Sequence, residues 1–102
     1  MTYPVNTDKD LTGAGSTDWI KFSGGLSVQV TGVATAITGT VQRSTRDPAG
    51  APNTAVVAPI TGNPSTGIAP AFFNEPGVAW WRVDVSALTG AGATVAITGS
   101  GA

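Results

Sequence analysis

The stretch Val78-Ala79-Trp80-Trp81-Arg82-Val83-Asp84-Val85-Ser86 alternates as a β-strand does, and it sets a tryptophan on each face. Successive strand side chains point to opposite sides of a sheet, so Trp81, Val83 and Val85 share one face and Trp80, Arg82 and Asp84 the other. The first set is a core face. The second puts a large aromatic beside charged groups where a wet face is expected, which suits a surface that another protein chain covers. This pattern commits the chain to a sheet and points to assembly rather than chemistry.

The 102 residues make one small domain with a thin core, enclosed by roughly 5,300 Å² of surface on the usual size scaling. Neither a disulfide nor a cysteine–histidine zinc site can reinforce that core, because the chain has no cysteine and no histidine. Oligomerisation or docking on a larger surface is the remaining route. Charged residues make up only 11%, and Gly, Thr, Ala, Val and Ser dominate, a β-rich composition. A net charge of -1 with five scattered Lys and Arg argues against nucleic acid as a partner. No apolar run reaches membrane-spanning length, and the first residues lack the basic and apolar regions of a secretory signal, so a membrane partner and export are not expected.

Residues 1–16 are polar and turn-rich and read as an N-terminal extended arm, mobile until bound, ahead of a β-sandwich domain at 17–102. Within the domain, Trp19 to Phe22 and Leu26 to Thr31 read as two strands joined by a turn at Gly24-Gly25, with Leu26, Val28 and Val30 on one face. Ala36 to Ser44 is a third strand, with Ile37 and Val41 inward and Gly39 marking a bulge or a close backbone approach. Six of the seven prolines fall between Asp47 and Gly77, so this part is expected to be loop-rich, with short edge strands at Thr54 to Ala58 and Ile68 to Phe73. Ala93 to Thr98 closes the set with Val95 and Ile97 inward. The pentapeptide Leu11-Thr-Gly-Ala-Gly15 recurs at Leu88 to Gly92, where it reads as a hairpin turn; the first copy reads as the entry to the first strand. No window has helical spacing. The fold class is all-β, a single small β-sandwich, Ig-like or jelly-roll-like, with a Pro/Gly-rich loop region.

The absence of histidine and cysteine removes Ser-His-Asp and Cys-His catalysis, most catalytic zinc sites and the commonest general base. Glu75, the single glutamate, sits beside Pro76 and reads as a loop residue rather than half of a carboxylate pair, and the aspartates read as solvated turn or capping residues. Asp8 and Asp10 have the spacing of the first ligands of a calcium loop, without its glycine or distal glutamate. The glycine pairs at 13 and 15 and at 90 and 92 are turns, since no strand-to-helix junction follows. No catalytic residue, cofactor or metal is assigned. The candidate binding residues are Trp19, Phe72, Phe73, Trp80 and Arg82, which offer a subunit interface or a sugar-stacking platform, with the interface preferred for Trp80. Arg82 either stacks on Trp80, pairs with a partner's carboxylate or is a solvated surface arginine. One of the two phenylalanines joins Trp81 in the core.

Trp19-Ile-Lys-Phe-Ser-Gly-Gly25, Ser27 to Gly32, Gly39-Thr-Val-Gln-Arg-Ser44, Pro76-Gly77, Trp81 to Ser86, Thr89-Gly90 and Val95-Ala-Ile97 together resemble the small β-sandwich virion proteins of tailed bacteriophages. The likeness spans residues 19–98, and the Pro-rich middle departs from it. It implies a non-enzymatic structural protein located in the virion and made in the host cytoplasm: a capsid decoration or cement protein that binds the major capsid protein or another virion protein. A homo-oligomer is implied with it, a trimer being one such assembly. The alternative it implies is a head-spike, fibre or tail component that binds a receptor or carbohydrate.

Trp81→Ala, a core truncation, is expected to cost roughly 3–5 kcal/mol, and Trp80→Ala to leave the fold largely intact while weakening assembly. Urea unfolding of the two variants checks this, and the opposite ranking inverts the strand register.

Overall fold

The computed structural model describes residues 4–47 and 54–101, and among them the chain is all-β with no helix. The strands are β1 (Pro4–Leu11), β2 (Gly15–Ser16), β3 (Ile20–Gly32), β4 (Ala36–Ser44), β5 (Thr54–Gly62), β6 (Ala71–Thr89) and β7 (Ala93–Gly101). All pairs are antiparallel, in the order β1-β7-β3-β6-β4-β5, with β2 also on β6.

Two long strands turn this one sheet into a sandwich. Between the pairs Phe22↔Ala79 and Gly24↔Glu75, the three residues Pro76, Gly77 and Val78 of β6 face Ser23 alone. Against β7, β3 carries its own excess at Ser23, Gly24 and Gly25, between Phe22↔Gly101 and Leu26↔Gly99. Extra residues of this kind bend a strand and increase its twist, which is how a strand passes from one layer to another. The first layer is thus β1, β7, the second half of β3 and the start of β6. The second is the remainder of β6 with β4, β5, β2 and the start of β3. Val28, Val30, Val95 and Ile97 of the first layer join Ile37, Val41, Ile60, Val83 and Val85 of the second in one buried cluster, with Phe22 and Trp81 near the bend. The surface, 5306 Å², is what a compact chain of this mass presents.

The inward sets expected for β4, β6, β7 and the second half of β3 are the buried ones. Other expectations need correction. Gly24-Gly25 is not a turn between two strands; it lies within β3, where Gly24 has φ 84° at the bend. Leu88 to Gly92 is not a hairpin turn, because β7 pairs with β1 and β3 and never with β6. It carries the chain from one layer to the other, and the first copy of the pentapeptide does the same between β1 and β2. The β3–β4 link crosses at the same end, its Val33 and Ala34 amides donating to the Gly92 carbonyl and Thr35 to that of Thr89. Gly90, at φ 108°, would bring a Cβ to 2.9 Å from the Thr35 nitrogen, so both conformation and crowding demand glycine.

Pro4–Leu11, read as part of an extended arm, is an edge strand paired along its length with β7. In the Pro-rich part, Pro59 lies on the edge strand β5 and Pro76 in the β6 bulge, the places where a sheet tolerates a missing donor. Pro48 and Pro52 fall outside the described residues.

Gly39 is a close approach: a Cβ there would sit 2.6 Å from the Asp84 carbonyl oxygen, opposite the β6 bulge at Ser86. Gly39→Ala is expected to destabilise by about 1–3 kcal/mol, as forced overpacking does, read as a lower urea midpoint with an unchanged slope.

Candidate functional site

Three surfaces of β6 carry the residues with chemistry. Its inward positions at the bend build a buried polar cluster. Glu75 follows Phe73 at the next inward position, and its side chain is fully buried. The carboxylate accepts from Arg43 Nε at 2.5 Å and Nη2 at 2.9 Å, from the Gly77 amide at 3.0 Å and from Trp81 Nε1 at 3.3 Å. Arg43 reaches it from β4, where it pairs in register with Trp81. The Arg43 hydrogen bonds hold the Glu75 carboxyl below the usual carboxylate range, outweighing the burial that pushes it up, and Gly77 and Trp81 add to the effect. Arg43 is held correspondingly more firmly protonated. Four donors on one carboxylate with no open side make a brace rather than a general acid or base. The expectation of a loop residue at Glu75 is therefore corrected: it lies within β6. The signal was in the alternation, which puts Glu75 in step with Phe73 and Arg43 in step with Val41 on inward faces.

The outward positions of the second layer assemble two tryptophan–cation stacks. Thr17 docks the chain ahead of β3 onto β6, its amide donating to the Val83 carbonyl at 2.9 Å and its hydroxyl accepting the Val83 amide at 3.0 Å. The Ser16 hydroxyl donates to Asp84 at 2.5 Å. This docking lays Trp19 against Arg82, whose guanidinium carbon is 4.6 Å from the ring centroid and whose Nε donates to Gln42 at 2.8 Å. Trp80, opposite Lys21 in the ladder, has that ammonium 5.3 Å from its ring. Arg82 therefore stacks on Trp19 and not on Trp80.

The third surface lies at the start of β6, where the strand pairs with β3 alone. Phe73 turns inward, its ring 5.6 Å from that of Trp81, and so it is the phenylalanine that joins the core. Phe72 turns out and is 77% exposed. It borders an open groove of about 290 Å³ with Gly25, Leu26, Ser27, Phe73 and Thr98. Of the five expected binding residues, Trp19, Trp80 and Arg82 thus share the outer face of the second layer, Phe72 stands apart on the first, and Phe73 packs against the core.

Among the described residues no three acidic, histidine or cysteine side chains converge as a metal site would require. Asp10 instead accepts the Thr94 hydroxyl at 2.6 Å, and Asp8 the Asn6 amide at 3.3 Å. No family model, curated protein or solved structure matches this chain.

Because folding lowers the Glu75 pKa, its stabilisation is complete above the ordinary value of 4.5 and is lost as pH falls through the folded value. Glu75→Gln is expected to cost about 3 kcal/mol at pH 7, the low end for a broken buried pair because Arg43 is partly solvated. The gap from wild type should narrow on acidification below pH 4.5, as urea melts across pH would record.

Proposed function

We propose that this chain is a non-enzymatic virion structural protein, a capsid decoration protein that binds the major capsid protein lattice as a homo-oligomer and stabilises the head. The observation that carries this reading is the apolar surface left on a braced scaffold. Phe72, Val33, Val56 and Val78 stand exposed, while no buried side-chain polar atom lacks a partner among the described residues. A firm framework with exposed apolar anchors suits docking, and the resemblance of residues 19–98 to phage virion β-sandwiches supports the same role.

A ligand that binds only the assembled shell stabilises it by mass action, and repetition over a lattice multiplies modest contacts. Phe72 is the anchor best suited to enter a pocket on a partner. The tryptophan faces stacked by Arg82 and Lys21 form a flatter, amphipathic patch that accepts a polar rim. A head-spike, fibre or tail role with receptor or carbohydrate binding is the second reading. The open ring of Phe72 beside Ser27 and Thr98 favours it, since a flat aromatic next to hydroxyls suits a sugar.

Quantitative mass spectrometry of purified virus particles from cells expressing this chain tests the proposal. Abundance near that of the major capsid protein is the expected result. A few copies per particle would favour the spike or fibre reading, to be followed by glycan-array binding, and absence from particles would overturn both.

A further inference from the structure

The two lateral strands of the sheet, β1 and β5, differ in a way that bears on assembly. β1 carries Asp8, Lys9 and Asp10 in succession, the kind of charge that blunts an edge against pairing with another chain. Antiparallel self-pairing about Lys9 would set lysine against lysine and Asp8 against Asp10. β5 reads Thr-Ala-Val-Val-Ala-Pro-Ile-Thr-Gly and has no charged side chain. Among the described residues it pairs with β4 on one side only.

Its first half is also uncovered on both faces. Thr54, Ala55, Val56 and Val57 are all exposed, with Val56 at 62%, so this part of the strand projects past the opposing layer. Farther along, Ile60 is buried and lines a gap of about 210 Å³ shared with Val28, Val30 and Ile68. Pro59 interrupts the row of backbone donors after Ala58 and so bounds the free segment, with the β4–β5 register shift at Val57 inside it. The free ladder is therefore short, roughly 17 Å for five residues. A short free ladder suits one closed pairing rather than a growing fibre.

We propose that the β5 edge is the interface between two copies of this chain, joined by antiparallel pairing of Thr54 to Ala58 across a two-fold axis centred near Val56. An identical, uncharged strand meets itself there without like-charge opposition, and the two projecting segments cover each other's open faces. This deepens the homo-oligomer part of the proposed function and rests on it for its purpose, though not for its test. The symmetry it assigns is two-fold, in place of the trimer implied by the resemblance.

Sedimentation of the full chain over a concentration series should give a monomer–dimer equilibrium. Val56→Lys, which places two ammonium groups across the axis, should weaken that equilibrium by at least about tenfold while the far-UV signal and melting at dilution stay unchanged. A second measurement uses the absence of native cysteine. Val56→Cys should be joined into dimers by a short bifunctional thiol reagent, and Val33→Cys, equally exposed on another surface, should not. A monomer at every concentration, a trimer, a dimer indifferent to Val56→Lys, or equal crosslinking at both positions overturns the inference. Particle association is read separately by mass spectrometry, so a monomeric protein found on virions would remove the β5 pairing and leave the decoration role standing.

Discussion

The bend shared by β3 and β6 makes two packed layers out of one sheet, and a single carboxylate braces it. Glu75 binds the first amide beyond Pro76, the indole of Trp81 on the far side of the bulge, and the guanidinium of Arg43 on the neighbouring strand. Apolar contacts are non-directional and would allow β6 to slide or swing at this point. Hydrogen bonds fix distance and angle, and here they relate three segments of chain to one another. Taking the Glu75 charge out of water offsets part of its attraction to the partly solvated Arg43, so the fixed geometry of the corner is a distinct contribution beside any gain in stability. Trp81 belongs to both systems, with its indole nitrogen in the brace and its ring against Phe73 in the core.

The alternation of Trp81, Val83 and Val85, of Leu26, Val28 and Val30, and of Ile37 with Val41 was legible because a half-buried strand writes its inward face into the sequence. Gly39 was legible as a bulge or a close approach, because a glycine inside a strand pattern marks one or the other. The bends were not. Glycines at 24 and 25 satisfy a reversal and a kink equally well, and only the strand found alongside tells them apart. A hairpin and an interlayer crossing at Leu88 to Gly92 likewise differ in which strand β7 selects, a choice made by residues 4–11 and 26–32. Glu75 was misread because proline and glycine beside it outweighed its place in the alternation. Of the candidate binding residues, Phe72 and Phe73 were legible as an outward and an inward pair without showing which was which, and the pairing of Arg82 with Trp19 depends on Thr17 docking that no local pattern announces.

The outer surface separates into parts with different capacities. Trp19 and Trp80 are held by their own cations and cross-strand neighbours, which preorganises them and removes much of their tendency to associate indiscriminately. Phe72 and the start of β5 have no such cover. In the proposed role a soluble protein must later bury apolar area, and this division keeps that area small until a specific complement arrives.

Strand β1 lies beside β7 over its whole length, with Pro4 opposite Ser100 and Leu11 opposite Ala93. The earliest strand therefore has no ladder to join until the latest one has emerged, and β7 must also find β3 across some seventy intervening residues. Loop closure over such distances comes before the contacts that compensate for it, which makes β folding of this kind slow. A nascent chain carries β1 as an open edge until β7 has been made. The charges of Asp8, Lys9 and Asp10 then act as a safeguard in time, keeping that strand from neighbouring chains until its own partner has been made.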